Sequence, residues 1–299
     1  MNIEFSKPVL TARKNGKPLV ALESTIITHG MPWPQNVQTA RAVEAAVRAQ
    51  GAEPATIAII EGRLHVGLED EQLDALGQNQ NVMKLSRADF AFAMSKGKTG
   101  STTVAATMIA AQMAEISVFA TGGIGGVHQG AEASFDISAD LLELAQTNVI
   151  VVCAGAKAIL DLPKTLEVLE TQGVPVIGYG VDELPAFWSR NSGLDVPLRL
   201  DTPQEIAKHA QVRQECGLGG GTLVTNPVPE TSEIPANEIN SHIEQALQEA
   251  DSQGIAGKNV TPFLLGRMVE LTDGKSLKTN IALIKNNATL AAQIAVALA

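Results

Sequence analysis

The chain has 299 residues, of which 45% are hydrophobic and 18% are charged, so it can bury a large core. Its 32 acidic and 22 basic residues give a formal net charge of −10, and no run of Lys and Arg is interleaved with aromatic residues. We therefore expect no nucleic-acid partner. The two cysteines, Cys153 and Cys216, cannot build a disulfide framework or a multi-cysteine metal site, which favours a reducing, cytoplasmic location.

The N-terminus MNIEFSKPVL has no basic flank followed by an apolar segment, which argues against a secretory signal. No apolar stretch approaches the length of about 18 residues that reads as a transmembrane helix, so we expect no membrane partner. The chain contains no internal repeat or low-complexity tract. These features predict a single domain over residues 1–299.

The first half of the chain begins with a strand-loop-helix pattern. PLVALEST predicts a buried strand, and QNVQTARAVEAAVRAQ has apolar residues at helical spacing up to Gly51. The stretch ATIAIIEGRLHVGL predicts a hairpin that turns at Glu61-Gly62-Arg63. Ser86 is placed to cap a helix that begins near Arg87, and STTVAATMIAAQMAEI predicts another helix.

The middle of the chain alternates strands and helices. SVFATGG, NVIVVCAG and VPVIGYG are short runs closed by glycine, and between them lie the helical patterns SADLLELAQ and residues 158–172. This predicts an α/β fold, three-layer α/β/α with a central mixed, largely parallel sheet. Ligands bind beyond the carboxyl ends of such strands. The polar stretch from Asn226 to Lys258 predicts a surface excursion, and the tail predicts helices that need a core.

Three charged residues lie near the ends of predicted strands. Glu23 ends an apolar strand, where burial would raise its pKa and suit it to proton transfer; a carboxylate that caps a loop is the alternative. Lys157 follows NVIVVCAGA, at the predicted start of a helix, where desolvation can produce a nucleophilic amine. A lysine that reaches solvent is the alternative. Lys84 in NVMKLS is a candidate phosphate ligand.

The run TGGIGGVHQGAEASFDISADL is dense in glycine and also contains His128, Asp136, Ser138 and Asp140. It lacks the GxGxxG spacing of a dinucleotide site and the HExxH pattern of a zinc hydrolase. One aspartate with water in the remaining positions suits Mg²⁺ or Mn²⁺. For His128 taken alone, a structural histidine with satisfied hydrogen bonds is the commoner case. In GKTGSTTVAAT, small residues at a helix start indicate either an anion site or an ordinary N-cap.

Several segments together resemble one family, the pseudouridine-5′-phosphate glycosidases, which include proteins named after indigoidine pigment clusters. The segments span nearly the whole chain in order, which makes the resemblance more specific than any single loop. They are VALESTIITHGMPWPQN, AIIEGRLHVGL, KLSRADF, GSTTVAATM, FATGGIGGVHQGAEASFDISADL, VVCAGAKAILDLPKTLEVLETQGVPVIGYG and NIALIKNNA.

The resemblance implies a role for individual residues. It implies that Glu23 is the proton donor, that Lys157 bonds covalently to C1 of the sugar, and that Asp136 holds Mn²⁺, which Mg²⁺ could replace. It also implies a homotrimer. The residues that it implies contact the substrate are Lys84, Val104, Ser138, Ala139, Asp140, Thr121, His128 and Asn280.

The activity implied by the resemblance is reversible cleavage of the carbon–carbon glycosidic bond of pseudouridine 5′-phosphate to uracil and ribose 5-phosphate. It would proceed through a lysine imine with ring-opened ribose. A ribokinase-like sugar or nucleoside kinase is the alternative enzyme, although the C-terminal region has no clear GxGD motif. A binding or regulatory module is the non-enzymatic alternative.

Overall fold

The computed structural model describes residues 3–255, 257 and 260–299. The strands are β1 (Ile3–Phe5), β2 (Leu19–Leu22), β3 (Glu53–Ile60), β4 (Arg63–Val66), β5 (Met83–Leu85), β6 (Gly100–Thr102), β7 (Val118–Ala120), β8 (Ile150–Cys153), β9 (Val176–Tyr179), β10 (Leu198–Leu200) and β11 (Thr222–Thr225). The α-helices are α1 (Lys7–Lys14), α2 (Gln35–Ala49), α3 (Asp70–Gln78), α4 (Arg87–Ser95), α5 (Val104–Met113), α6 (Ala131–Ser134), α7 (Ala139–Gln146), α8 (Leu162–Thr171), α9 (Pro203–Glu215), α10 (Ala236–Ser252), α11 (Val260–Leu271) and α12 (Lys275–Leu298). A π-helical turn covers Ile26–Gly30, and a 3-10 turn covers Glu230–Ser232.

The strands form one sheet in the order β1-β4-β3-β2-β7-β8-β11-β9-β10, with β6 and then β5 branching from β3. The pairs β3–β4 and β3–β6 are antiparallel, and the other pairs are parallel. Helices flank the sheet, so the predicted mixed, largely parallel α/β fold is confirmed. Because β2, β7 and β8 are parallel neighbours, their carboxyl ends meet at one edge.

Strands β7, β8 and β11 are buried along their whole length. All four residues of β8, Ile150–Cys153, are buried, which is the apolar pattern of a strand covered by helices on both faces. On α5 most residues are small and buried, including Ala105, Ala106, Ala110 and Ala111. Small side chains let this helix approach closely, which explains how a chain with 3% aromatic residues fills its core.

Helix α12 crosses the middle of the fold. It packs on β2, β7 and β8 and against α2 and α9, and Leu283, Ile284, Ala288 and Ala291 on it are buried. By length and composition α12 could cross a bilayer, contrary to the expectation that no segment approaches that length. Half of its most apolar window is buried inside the fold, as in a core helix.

The structure corrects the predicted start of one helix and adds a strand. Lys157 does not begin a helix, because α8 begins at Leu162, where Asp161 accepts a hydrogen bond from the Lys164 N–H (3.1 Å) and Pro163 occupies the first turn. Strand β11, which the sequence analysis did not identify, lies between β8 and β9.

The stretch that begins at Asn226 is only in part a surface excursion. Val228 and Ile234 are buried, as are Ile239 and Ile243 on α10. The predicted end of the excursion, Lys258, lies outside the described residues. The chain therefore adds apolar surface to the core in a region whose composition is mainly polar.

Candidate active site

A cavity of about 390 Å³ lies at the carboxyl ends of the strands. The loops after β2, β7 and β8 contribute to it, as do β5, the start of α5, and α12. Every predicted site residue except Thr121 lines the cavity, and Thr121 lies directly behind Glu23. The lining residues among those predicted are Glu23, Lys84, Val104, His128, Asp136, Ser138, Ala139, Asp140, Lys157 and Asn280.

Glu23 follows the last residue of β2 and faces the cavity from the centre of the sheet. Burial raises the pKa of this carboxyl above its usual value, although the charge of Lys157 and a hydrogen bond donated by the Thr121 hydroxyl oppose the increase. The adjacent Ser24 hydroxyl donates to the Ile57 carbonyl (2.6 Å), which fixes the end of the strand. Glu23 is therefore held in place and keeps its proton to higher pH than an exposed glutamate.

Lys157 lies in the loop between β8 and α8. Its N–H donates to the Ile124 carbonyl (3.1 Å), and its own carbonyl accepts from the Leu160 N–H (3.0 Å). These bonds hold the loop that contains Lys157 against the glycine-rich loop that follows β7, residues 122–126. Because the charge of Lys157 lowers the pKa of Glu23, the amine and the carboxyl are close enough to interact electrostatically across one cavity.

The side chain of Asp140 joins two other parts of the cavity wall. Its Oδ1 accepts from the Ala105 N–H (3.0 Å), and its Oδ2 accepts from the Gly125 N–H (2.8 Å). Ser138 caps α7 by accepting from the Asp140 N–H (3.2 Å). Since both carboxylate oxygens of Asp140 are bonded to backbone, this residue positions the start of α5 and the glycine-rich loop.

Val104 is the first residue of α5, and its neighbour Thr103 caps the helix by accepting from the Ala106 N–H (3.4 Å). The N-cap expected as one alternative is therefore present. Val104 and Lys84 both line the cavity, and Lys84 lies on β5, which pairs with β6 just before α5. The Ala105 and Ala106 N–H groups already donate to Asp140 and Thr103, so the Val104 N–H and the charge of Lys84 are what this wall could offer an anion.

Asp136 and His128 lie on opposite arms of the same loop. The His128 N–H donates to the Asp136 carbonyl (3.0 Å). Burial lowers the pKa of His128, and the negative charge of Asp136 opposes this. Within residues 3–255, 257 and 260–299, no group of three or more His, Cys, Asp and Glu side chains could hold a metal. Asp136 is half-buried and lines the cavity, so its carboxylate would be one ligand and not part of a closed metal cage.

Asn280 reaches the cavity from α12. Its Oδ1 accepts from the indole N–H of Trp188 (2.7 Å). An indole nitrogen can only donate, so this bond fixes the side-chain amide of Asn280 with its oxygen towards Trp188. Its NH₂ group is then left for other partners.

A model of the family described as "Indigoidine synthase A like protein" matches residues 8–297. The chain belongs to this family. The family predicted from the sequence motifs is thereby confirmed, and with it the prediction that the chain is an enzyme. The chain is 64% identical over 296 residues to the pseudouridine-5′-phosphate glycosidase of Methylobacterium nodulans, covering 99% of this chain and 88% of that protein. It is also 64% identical to the protein of that name from Paracoccus denitrificans, covering 99% and 98%.

Two solved structures are similar to this indigoidine synthase A-like chain. The prealnumycin C-glycosynthase AlnA, in complex with ribulose 5-phosphate, superimposes with a TM-score of 0.91 at 38% identity, covering 99% of this chain and 96% of that one. An indigoidine synthase A-like protein from Thermotoga maritima superimposes with a TM-score of 0.89 at 36% identity, covering 98% and 95%.

The structure adds His29 to the cavity of this indigoidine synthase A-like protein. The Thr28 hydroxyl donates to the Ser101 Oγ (2.7 Å) and lies 2.6 Å from Nδ1 of His29. With the hydroxyl hydrogen used in that way, Nδ1 carries its own hydrogen and donates to Thr28. Burial, and secondly the charge of Lys84, lower the pKa of His29. In the neutral ring, Nε2 is therefore a hydrogen-bond acceptor.

Phe187 is a second lining residue that the sequence analysis did not identify. Its ring packs on Gly123 so closely that a Cβ at that position would lie 2.7 Å from it. Phe187 adopts a positive φ of 61°, which is uncommon for a residue other than glycine. His29 was contained in a motif of the resemblance, THGMPWP, whereas the sequence around Phe187 carries no such signal.

Proposed function

We propose that the chain cleaves the carbon–carbon glycosidic bond of pseudouridine 5′-phosphate reversibly, giving uracil and ribose 5-phosphate. The observation that carries the proposal is the pairing of Glu23, whose pKa is raised by burial, with Lys157 in one cavity. A carboxyl that retains its proton and an amine are the acid and the nucleophile that this reaction needs. The names of relatives at 64% identity support the same substrate.

The proposed reaction begins at the sugar ring. Glu23 donates its proton to the ring oxygen as the C1–O bond of the ribose breaks, and electrons from the uracil ring stabilise C1. The unprotonated amine of Lys157 then adds to C1. Covalent catalysis is favoured because uracil is joined through carbon, which leaves less easily than the nitrogen of an ordinary nucleoside.

The second half of the reaction releases both products. The bond between C1 and the uracil carbon breaks as that carbon takes up a proton, which leaves an imine between C1 and Lys157. Water adds to the imine and frees ribose 5-phosphate, so that the net reaction consumes one water. Glu23 is reprotonated from solvent before the next turnover.

The other predicted residues would bind the substrate. Lys84, by its charge, and the start of α5 at Val104 would bind the phosphate. The oriented NH₂ of Asn280 supplies a hydrogen-bond donor. His128, Ser138, Ala139 and Asp140 would complete the pocket, and Thr121 would act from behind Glu23.

We also propose that Asp136 holds Mn²⁺, or Mg²⁺ in its place. A divalent cation bound there would supply positive charge beside the phosphate-bearing substrate. Asp136 would orient it with one carboxylate while water and substrate fill the other positions. Full activity after rigorous chelation would contradict this part of the proposal.

The decisive experiment measures uracil release from pseudouridine 5′-phosphate by the purified chain, with uridine 5′-phosphate as the control substrate. We expect release from the first and not from the second. Equal cleavage of both would contradict the proposed specificity. Adding ATP with pseudouridine tests the kinase alternative, since a kinase would consume ATP.

The covalent step has its own test. Borohydride reduces an imine to a stable amine, so its addition during turnover should leave a ribosyl-phosphate adduct on Lys157. Mass spectrometry of the digested protein locates the adduct. The exposed Lys96 serves as an internal control that should stay unmodified, and an unmodified Lys157 in an active, reduced sample would exclude the imine.

A further inference from the structure

Two buried asparagines lie behind the cavity and have no role in the reaction described so far. Asn287 on α12 is fully buried, and Asn226 directly after β11 is 5% exposed. The Asn287 Nδ2 donates to the carbonyls of Thr121 (2.9 Å) and Gly122 (3.4 Å). The Asn226 Nδ2 donates to the Asn287 Oδ1 (3.1 Å). Since carbonyl oxygens only accept, the orientation of the Asn287 amide follows from its partners.

The same pair connects the ends of three strands. The Asn226 N–H donates to the Cys153 carbonyl at the end of β8 (2.8 Å), and the Ala154 N–H donates to the Gly122 carbonyl (2.9 Å). Asn287 connects this network to the end of β7 by donating to the carbonyl of Thr121, which directly follows that strand. The loops that carry Thr121 and Lys157 therefore start from backbone positions that are held together by one buried network.

Packing alone does not explain an asparagine at this position. The neighbours of Asn287 on α12, Leu283, Ile284, Ala288 and Ala291, are apolar and buried, and an amide is costly to bury unless its hydrogen bonds are satisfied. Here the amide satisfies the Thr121 carbonyl, and the hydroxyl of the same residue donates to Glu23. Fixing the Thr121 backbone keeps the base of that side chain within reach of Glu23.

We propose that Asn287 is a positioning residue, which holds the Thr121 hydroxyl on the Glu23 carboxyl and is itself held by Asn226. The inference rests on the proposed role of Glu23 as the proton donor. Asn287 acts through Thr121 and touches no substrate. Its removal should therefore change how Glu23 titrates as well as how fast the enzyme turns over.

The direction of the change follows from the groups around Glu23. Burial and the charge of Asp140 raise its pKa, whereas Lys157, Lys84 and the Thr121 hydrogen bond lower it. Loss of the hydrogen bond from Thr121 removes one of the interactions that lower the pKa of Glu23, while the charged neighbours stay in place. The Asn287→Ala substitution should therefore raise the pKa of Glu23 further and move the alkaline limb of the pH–rate profile to higher pH.

The test compares Asn287→Ala with Asn286→Ala. Asn286 is the adjacent residue on α12, and its Nδ2 donates to the Pro227 carbonyl (3.1 Å) outside the cavity. We expect kcat to fall by about 10- to 100-fold in Asn287→Ala, with little change in KM, because a displacement of about 1 Å can cost that much. Asn286→Ala should keep both constants and the pH profile of the wild type.

A double-mutant cycle with Thr121→Val separates positioning from a merely structural role. If Asn287 acts through Thr121, Asn287→Ala should shift the pH limb in the wild-type background and not in Thr121→Val. Additive effects on kcat, or a lowered melting temperature with an unmoved pH limb, would overturn the proposal. Should Asn287→Ala not fold, Asn226→Ala tests the same network and should shift the limb in the same direction by less.

A titration of Glu23 itself does not depend on turnover. Carboxyl-labelled glutamate gives a ¹³C resonance for Glu23, which is assigned by its loss in Glu23→Gln. The midpoint of that resonance should rise in Asn287→Ala and stay unchanged in Asn286→Ala; an unchanged midpoint in both would overturn the inference. Failure of the wild type to release uracil would instead count against the proposed function and leave the titration result standing.

Discussion

The proposed reaction needs Glu23 and Lys157 in opposite protonation states. Glu23 has to carry a proton to donate it, whereas Lys157 has to lose one before its amine can attack. Burial raises the pKa of Glu23, so its acid form persists above the usual pKa of 4.5. The acid form of Glu23 is therefore available at higher pH than it would be for an exposed carboxyl.

The pH dependence of turnover follows from this. Activity that depends on protonated Glu23 should fall as pH rises through its raised pKa, so the midpoint of the alkaline limb should lie above 4.5. Glu23→Gln cannot donate a proton and should lower kcat by about 10²- to 10⁴-fold. The measurement is kcat from about pH 5 to pH 9; persistence of the same limb in Glu23→Gln would assign it to another group.

Lys84 and Lys157 should respond differently to substitution although both line the cavity. Lys84→Ala removes a charge expected at the phosphate and should mainly raise KM, whereas Lys157→Ala removes the nucleophile and should abolish turnover. Lys98→Ala, at an exposed position just before β6, is the matched control. Equal loss of turnover in Lys84→Ala and Lys157→Ala would show that Lys84 has another role.

Among the elements, the glycine-rich loop is the one whose close packing shapes the cavity. A Cβ on Gly125 would lie 2.6 Å from the Cβ of Ser138 and 2.9 Å from Oδ2 of Asp140. Real side chains do not approach so closely, so the loop, α7 or the Asp140 carboxylate has to move. The displacement would extend to α5, because Asp140 also accepts a hydrogen bond from the Ala105 N–H.

Gly125→Ala should therefore destabilise the protein by about 1 to 3 kcal/mol, the usual cost of overpacking, and should lower kcat. Gly266→Ala is the control, because Gly266 is exposed on α11 and has open space around its Cα. There alanine should stabilise the helix by up to about 1 kcal/mol. Thermal unfolding and kcat of both variants check this, and equal behaviour of the two would contradict the packing argument.

The sequence predicts elements well where the signal is local. Ser86 caps α4 as expected, and Glu61-Gly62 forms the turn of the β3–β4 hairpin. Parallel strands with polar ends led correctly to the edge at which Glu23 and Lys157 meet. The predicted start of α8 was wrong because the helical spacing of the sequence extends to residues before Asp161, which caps the helix.

Contacts between distant parts of the chain were not predictable from the sequence. Asn287 bonds to a carbonyl 166 positions earlier in the chain, and neither residue carries a local pattern that indicates the other. Phe187 and β11 were missed for the same reason, since each depends on what it packs against. His29 could have been found from the sequence, because it lies within THGMPWP, part of a motif of the family resemblance.

For the whole molecule, the expected homotrimer stays a prediction. Phe135 is 81% exposed, and Ile137 and Leu142 also expose much of their apolar side chains. Exposed apolar residues along one short stretch favour an interface. Light scattering on the purified protein should give three times the chain mass of 31.4 kDa. A mass of one chain across micromolar concentrations would contradict the prediction.

The position of α12 bears on how the protein is made. Asn280, Leu283 and Asn287 all belong to this helix, while Glu23 and Thr121 are synthesised long before it. At about 5 to 20 residues per second, a ribosome needs several seconds or more to pass from Lys157 to Leu298. During that time the nascent chain has its acid and its nucleophile but not the helix that supports them. A message truncated before codon 275 would encode Glu23, Lys157 and Asp136 but not Asn280 or Asn287, and we expect its product to be inactive.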